Sequence, residues 1–202
     1  VSRLCESLQR DFHFQEQPFR EHLIQAIVTH IYIEWIHPFD DGNGRTGRLV
    51  EFYILLRAGL PNIASHLLAN HYNATRPEYY RQLQRAYQTR DLTEFLVYAL
   101  TGFRDGLRQT MGIIRENAQA QMWRVLVHDA FRAIYMKQHT VFRRLREIGL
   151  NLPLTRPVTI PEVTRLTPEL VEAFEKSKST RTLVRDLDAL EAMGLITRSP
   201  GL

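Results

Sequence analysis

The sequence has a single cysteine, Cys5, and it lacks any apolar run long enough to cross a membrane. One cysteine excludes an internal disulfide bond, and this composition fits a reducing compartment, so we expect a cytoplasmic protein. The missing apolar run leaves no predicted membrane span and no membrane partner. A basic-then-apolar leader is also lacking, and the chain begins at Val1, which suggests part of a longer protein.

Positive charge is in excess only in the C-terminal part of the chain. Residues 1–120 hold 13 arginines against 13 acidic residues, whereas residues 121–202 hold 13 lysines and arginines against 9 acidic residues. The net charge of +4 therefore belongs to the second part. Such a surface can bind nucleic acid, but an ordinary, mildly basic solvated surface explains the charge equally well.

Strand signals are absent before about residue 155, and helical spacing dominates, so we predict a mostly all-α fold. Apolar residues recur every fourth position at Phe19, Leu23, Ile27, Ile31 and Trp35. Pro18 suits the first turn of that helix. A second helix is predicted over residues 45–58, with Gly59 as its stop and one apolar face of Leu49, Phe52, Tyr53 and Leu56. Further helices fit residues 76–88, 92–116 and 119–137.

The periodicity changes near residue 150, where Pro153, Pro157 and Pro161 interrupt helical spacing. Residues 155–160 fit a short strand or an extended arm. Two short helices are predicted over residues 168–175 and 179–193. We place a domain boundary near residue 120, which gives domains at 1–120 and 121–202.

Residues 37–48 read His-Pro-Phe-Asp-Asp-Gly-Asn-Gly-Arg-Thr-Gly-Arg and lie just before a predicted helix. Gly42 and Gly44 can take positive φ, so that successive N–H groups turn toward one point and bind phosphate oxygens at the helix N-terminus. Arg45 and Arg48 are three residues apart and share a helix face, from which both can reach anionic oxygens.

Three other side chains of this segment have distinct expected roles. Asp41 is a hard oxygen ligand suited to Mg²⁺, and His37 titrates near neutrality and can take a proton from an attacking hydroxyl. Phe39 is expected to pack inward and to anchor the loop. Each residue alone has an ordinary alternative as a turn, a solvated loop or a helix cap; the combination favours function.

The segment resembles the Fic family signature His-x-Phe-x-(Asp/Glu)-Gly-Asn-Gly-Arg-x-x-Arg at every defined position. Downstream, Arg76-Pro77-Glu78-Tyr79-Tyr80 is similar to the family's Arg-x-x-Tyr-Tyr segment, so the resemblance covers about residues 1–115. It implies a Fic-type helical domain that acts as a protein adenylyltransferase. Such an enzyme moves AMP from Mg-ATP to a Ser, Thr or Tyr hydroxyl of a target protein and releases pyrophosphate.

The resemblance also implies a role for each matching residue. His37 resembles the base that deprotonates the target hydroxyl, and Asp41 resembles the Mg²⁺ ligand. The cradle for the α- and β-phosphates corresponds to Gly42, Asn43 and Gly44. Arg45 resembles a β-phosphate contact and Arg48 a γ-phosphate contact. Related Doc kinases carry lysine where this chain has Gly44, so the glycine favours attack at the α-phosphate.

Three tyrosines, Tyr79, Tyr80 and Tyr87, fall where similar proteins approach the adenine, although helical spacing fits core packing equally well. Family members often have asparagine at the position of Tyr87. Two family features are missing: the target-binding flap, expected upstream of Val1, and an inhibitory helix. Residues 2–7 only approach the inhibitory motif, and we interpret them as ordinary helix.

The C-terminal part resembles a winged helix-turn-helix over residues 179–187 and 190–198. Its apolar positions Leu183, Leu187 and Leu190 are expected to face inward, with Arg181 and Arg185 outward. The acidic side chains Asp186, Asp188 and Glu191 weaken the case for phosphate contact. A DNA or protein partner through residues 155–202 thus remains open. Two alternatives to the enzyme are a DNA-binding regulator with a nucleotide-sensing Fic site and a Fic enzyme with another nucleotide donor.

Overall fold

The structure is a computed structural model that describes residues 1–10, 19–132, 139–177 and 180–198. All regular secondary structure in these ranges is α-helical, which confirms the predicted mostly all-α fold class. Pro18 lies outside the described residues. None of the described helices is both long enough and apolar enough to cross a membrane.

The chain divides into two compact units, Val1–Ile113 and Ile114–Leu202, so the division falls a few residues before the predicted boundary near residue 120. The helices up to this division are α1 Ser2–Arg10, α2 Phe19–Ile36, α3 Asn43–Arg57, α4 Asn62–Ser65, α5 Leu67–Ala74, α6 Arg76–Thr89 and α7 Thr93–Arg132, which continues past it. The segment resembling an inhibitory motif is helical, as expected, and belongs to α1.

Helix α2 supplies the centre of the first unit's core. Leu23, Ile27 and Ile31 are buried, as their four-residue spacing predicts. They join a core to which α3, α5, α6 and α7 contribute, including Leu55, Leu68 and Phe95. The C-terminal end of α2 is thereby fixed beside the N-terminal end of α3.

The predicted apolar face of α3 is wrong. Leu49, Tyr53 and Leu56 are exposed, whereas the buried face carries Gly47, Glu51, Ile54 and Leu55. Because this face carries a glycine and a carboxylate, its burial could not be predicted from the spacing of apolar residues. The buried Glu51 is possible because Tyr72 donates a hydrogen bond to its Oε1 at 3.0 Å.

The helices predicted over residues 92–116 and 119–137 are one continuous helix up to Arg132. The two residues between the predicted helices, Asn117 and Ala118, do not break a helix as glycine or proline does. Both residues are exposed in the middle of α7. Residues 133–137 of the second predicted helix lie outside the described residues.

The second unit continues with α8 His139–Asn151, α9 Ile160–Val163, α10 Pro168–Ser177 and α11 Thr180–Ala192. Its core includes Leu183, Leu187 and Leu190 of α11, which confirms the predicted inward face. Arg181 and Arg185 are exposed, also as predicted.

Residues 155–160 contain no strand: residues 155 and 156 are bends and Ile160 begins α9, so the predicted strand is wrong. A capping box starts α9, in which the Thr159 N–H donates to Glu162 Oε2 at 2.7 Å. Residues 194–198 also lack a strand. A wing is therefore not seen among the described residues of this unit.

A nearly buried ion pair joins α8 to α11. Arg144 donates from Nε to Asp186 Oδ2 at 2.5 Å and from a terminal nitrogen to Oδ1 at 2.9 Å. The Asp186 side chain is 1% exposed and that of Arg144 is 16% exposed. Two parallel hydrogen bonds satisfy the carboxylate, which removes the main penalty of burying it.

We expect Asp186→Ala to destabilise the second unit by about 3 kcal/mol, because it leaves the Arg144 guanidinium buried without its partner. Urea unfolding should be followed by the fluorescence of Trp123 in a Trp35→Phe background, where it is the one tryptophan of the chain. Asp188→Ala is the control, since Asp188 is 57% exposed and its ion pair with Arg198 should be worth under about 1 kcal/mol. Equal losses would contradict this interpretation.

Candidate active site

His37 ends α2 in a conformation that is rare for its residue type. Its φ is 48°, in the left-handed region, and its N–H closes the helix by donating to Ile33 O at 3.0 Å. The side chain is exposed, and Nδ1 lies 3.4 Å from Glu34 O. Because a carbonyl oxygen only accepts hydrogen bonds, this contact favours the tautomer with the proton on Nδ1.

Asn43 closes the loop between α2 and α3 with a two-way clamp. The Phe39 N–H donates to Asn43 Oδ1 at 2.9 Å, and Asn43 Nδ2 donates to Phe39 O at 2.5 Å. The Asn43 side chain is buried and faces the loop, so only its backbone N–H is left for an anion. The Phe39 side chain is 50% exposed, so the expectation that it packs inward is wrong. The backbone of Phe39 is what anchors the loop.

The start of α3 has the form of an anion cradle. Gly42 caps the helix at φ 92°, and its carbonyl accepts the Thr46 N–H at 2.9 Å. The N–H groups of Asn43, Gly44 and Arg45 precede the first intrahelical bond and point out of the helix end, where the helix dipole also favours an anion. Gly44 does not adopt a positive φ, contrary to the sequence prediction, because it already belongs to α3.

The two arginines flank this cradle. A Cβ added to Gly42 would lie 3.4 Å from a terminal nitrogen of Arg45, and one added to Gly44 would lie 3.2 Å from Arg48 Nη1. A Cβ on Gly44 would also lie 2.9 Å from a carboxylate oxygen of Glu34. Both glycines thus make room for guanidinium groups, which explains the residue type at Gly44 without any need for unusual backbone angles.

Asp41 pairs with Arg45, with 2.7 Å between Oδ2 and a terminal nitrogen. Both side chains are largely exposed, so this pair is weak and a phosphate or a cation can replace either partner at little cost. No group of three metal-ligating side chains occurs in the described part of the chain. One carboxylate is nevertheless sufficient for Mg²⁺ when nucleotide phosphates and water supply the other ligands.

The three candidate adenine contacts differ in exposure. Tyr79 is buried and its hydroxyl lies 2.9 Å from His30 Nε2, so it offers no surface to a base. Tyr80 and Tyr87 are 53% and 50% exposed. Arg90 lies over the Tyr87 ring at 4.7 Å, and the Trp35 ring meets it edge-on at 5.9 Å. Tyr79 thus packs in the core, which is the alternative that the sequence left open, and an exposed aromatic surface remains at Tyr80 and Tyr87.

Beneath the cradle lies a buried polar cluster of His30, Glu51, Tyr72 and Tyr79 that the motif did not reveal. The hydroxyl of Tyr72 binds Glu51 Oε1 at 3.0 Å, and His30 Nδ1 lies 3.7 Å from Glu51 Oε2. Its sequence signal was weak: Gly47, Glu51 and Leu55 share a helix face, and a carboxylate there interrupts the apolar pattern.

Burial keeps this cluster nearly uncharged. Desolvation, the largest cause, raises the pKa of Glu51 to about 8 and lowers the pKa of His30 to about 4. Since the native pKa of Glu51 exceeds the unfolded value of 4.5, its stability contribution is complete below pH 4.5 and is lost as pH rises through 8. His30 behaves oppositely: its contribution is present above pH 6.5 and is lost as pH falls toward 4.

Comparison with known proteins relates this part of the chain to one family. Residues 2–55, which contain α2, the loop and most of α3, match the Fic/DOC family. The protein adenylyltransferase Fic of Nematostella vectensis is 38% identical over 77 residues. Protein adenylyltransferase fic-1 of Caenorhabditis elegans is 31% identical over 94 residues, and a probable protein adenylyltransferase of Aquifex aeolicus is 50% identical over 40 residues.

These similarities are partial. They cover 38%, 46% and 20% of this chain, in the same order, and 17%, 17% and 12% of those proteins. The chain therefore corresponds to about a sixth or less of the length of these relatives. No solved structure matches it significantly. The similarities support Fic-type chemistry in general for the first unit.

We expect Asn43→Ala to loosen the loop, because the Phe39 N–H loses its acceptor and the Phe39 carbonyl loses its donor. Amide hydrogen exchange at Phe39 should accelerate by at least about tenfold, which corresponds to about 1.4 kcal/mol. Asn70→Ala, at an exposed position of α5, is the control and should leave that amide unchanged. Unchanged protection of Phe39 in Asn43→Ala would show that the clamp does not hold the loop.

Proposed function

We propose that this chain is a protein adenylyltransferase that transfers AMP from Mg-ATP to a Ser, Thr or Tyr hydroxyl of a target protein and releases pyrophosphate. The observation that supports this best is the arrangement around α3. The first N–H groups of α3 have no intrahelical partners, Arg45 and Arg48 approach Gly42 and Gly44, and the exposed side chain of His37 precedes α3 by only a short loop.

His37 takes the proton of the target hydroxyl on Nε2 as the hydroxyl oxygen forms its bond to the α-phosphorus. The bond from that phosphorus to the oxygen bridging to the β-phosphate breaks, and this oxygen leaves with pyrophosphate. The N–H groups at residues 43–45 stabilise charge on the phosphate oxygens, and Arg45 and Arg48 bind the β- and γ-phosphates.

Asp41 is the residue that would hold Mg²⁺, which neutralises phosphate charge when it is bound. To do so, Asp41 exchanges its exposed ion pair with Arg45 for the cation, and Arg45 exchanges it for a phosphate. Each partner is thus replaced by a group with the same sign of charge, Mg²⁺ for the guanidinium and phosphate for the carboxylate. We also propose a cytoplasmic location, on the basis of the single cysteine.

A variant of this proposal concerns the nucleotide. The exposed rings of Tyr80 and Tyr87 can stack against any base, since every base has a π-face. Tyr87 also lacks the side-chain amide that an asparagine at this position would offer to adenine. Another nucleoside triphosphate as donor remains a candidate on this observation. Competition of GTP, CTP and UTP against ATP would distinguish them.

We expect the chain to transfer label from ATP labelled at the α-phosphate to protein, and none from ATP labelled at the γ-phosphate. His37→Ala should reduce α-label transfer by at least about a hundredfold, because the attacking hydroxyl loses its base. His128→Ala, an exposed histidine of the second unit, is the matched control. The measurement is protein-bound radioactivity in a lysate and on the chain itself.

Each contrary result points elsewhere. Transfer of γ-label would indicate a kinase-like orientation of the nucleotide. Equal α-label transfer by the chain and His37→Ala would remove His37 from the proposed role. Absence of both labels in the presence of Mg²⁺ would contradict the enzyme proposal.

A second candidate function is DNA binding through α11, in a winged-helix-like second unit. Its acidic residues weakened this idea in the sequence, but in the structure each of them contacts an arginine. Asp186 is buried against Arg144, while Arg198 contacts Asp188 at 2.5 Å and Glu191 at 3.4 Å. The exposed face of α11 keeps Arg181 and Arg185 one turn apart, which suits contact with backbone phosphates.

If this second function is real, the logarithm of DNA affinity should fall linearly with the logarithm of salt concentration. Replacing Arg181 and Arg185 together by alanine should reduce that slope by about 2, since each phosphate contact contributes about 0.9. Arg20→Ala, in the first unit, and His37→Ala are controls that should leave the slope unchanged. A slope unaffected by the double substitution would locate any DNA contact elsewhere.

A further inference from the structure

The cluster of His30, Glu51, Tyr72 and Tyr79 joins four helices at one buried point. His30 comes from α2, Glu51 from α3, Tyr72 from α5 and Tyr79 from α6, and each is at most 4% exposed. Polar side chains buried this deeply hold one arrangement of their helices, because any shift would leave a hydrogen-bonding group without a partner.

This cluster contacts the first turns of α3, which begin with the phosphate cradle, through Gly47. A Cβ added to Gly47 would lie 3.2 Å from His30 Nδ1 and 3.5 Å from the His30 carbonyl oxygen, so the first turns of α3 rest directly on His30. Arg48 follows in the chain, and its charge lowers the pKa of both His30 and Glu51. The proposed γ-phosphate contact and the buried pair therefore act on each other electrostatically.

Each element packed against the pair contributes a group that faces it. Helix α2 brings Glu34 and α3 brings Arg48, both of which act on the phenol of Tyr79. Helices α5, α6 and α7 bring the phenols of Tyr72, Tyr79 and Tyr98, whose pKa values all lie above the ordinary value. The phenols stay neutral across the physiological range, so His30, Glu51, Glu34 and Arg48 determine the charge here.

We propose that His30 and Glu51 form a one-proton switch beneath the phosphate cradle. The cradle binds nucleotide while the pair holds its proton, and it releases the nucleotide when alkaline pH removes that proton. His30 and Glu51 are positioning residues in this proposal, which rests on the proposed nucleotide site. With its proton, the pair carries no net charge, whichever of the two residues holds it.

Loss of the proton leaves a buried negative charge close to Arg48. That charge attracts the guanidinium inward and repels the anionic phosphates, so nucleotide affinity falls. The effect is reciprocal, since a bound triphosphate near Arg48 makes it harder for the pair to lose its proton. Bound nucleotide should therefore shift the proton loss to higher pH.

The test is the affinity for the Mg²⁺ complex of α,β-methylene-ATP, which cannot donate AMP, measured by equilibrium dialysis between pH 7 and 9.5. The full chain and Glu51→Gln are compared, both carrying Cys5→Ser so that the thiol does not titrate. The glutamine keeps the shape of Glu51 and cannot ionise. Glu21→Gln, an exposed glutamate of α2, is the matched control. The thermal midpoint of each chain without nucleotide is measured over the same range.

We expect the affinity of the chain and of Glu21→Gln to fall by about tenfold over this range, and that of Glu51→Gln to change by less than about twofold. The thermal midpoint should fall with pH only where Glu51 is present. Tyr72→Phe gives a second measurement, because Tyr72 lowers the pKa of Glu51 by donating a hydrogen bond to it. The fall in affinity should move to higher pH in Tyr72→Phe.

The outcomes separate the switch from the function on which it rests. An equal fall of affinity in the chain and in Glu51→Gln would overturn the switch alone. A thermal midpoint that becomes insensitive to pH in Glu51→Gln, with an unchanged fall of affinity, would reduce the pair to a structural role and overturn the switch as well. Absence of nucleotide binding at every pH would overturn the proposed function and the switch together.

Discussion

The geometry of the candidate site depends on one close approach between two helices, where Gly47 of α3 meets His30 of α2. The absence of a side chain at Gly47 lets the backbones come this close, and the His30 ring occupies the space that a Cβ would need. The proposed base ends α2 and the phosphate cradle begins α3. A single helix pair therefore fixes both partners of the proposed reaction, and the Asn43 clamp has only a short loop left to order.

The parts of this site that depend on local chemistry could be predicted from the sequence, namely the helix start at the glycines and the grouping of Arg45 and Arg48. The side of α3 that is buried could not, because it depends on which helices pack against it. Glu51 is buried through a phenol on α5 and a histidine on α2, and neither partner is near it in sequence. The prediction for Phe39 was wrong for the opposite reason. An aromatic ring normally indicates burial, but here only the backbone of Phe39 is held by hydrogen bonds.

Charge was the least predictable property of this chain, because the number of acidic residues does not reveal which ones are neutralised. The C-terminal part looked unsuitable for phosphate contact from its acids on α11. The structure pairs those acids with Arg144 and Arg198, which come from other segments. The exposed pairs of Arg198 with Asp188 and Glu191 contribute little stability, so their effect is on the local field rather than on the fold. The same exchangeability applies to Asp41 and Arg45 at the cradle.

The burial of Glu51 and His30 is not explained by stability alone, since apolar residues of similar volume often give equal or greater stability. Apolar side chains would also allow α3 to slide or rotate slightly, because dispersion contacts are not directional. The hydrogen bonds of Tyr72 with Glu51 and of Tyr79 with His30 each have one favourable geometry. The proposed nucleotide chemistry at the end of α3 would be sensitive to displacements of about 1 Å, which gives directional contacts beneath α3 an advantage that offsets their desolvation. The same residues that fix the helix then bring a titratable charge beneath Arg48.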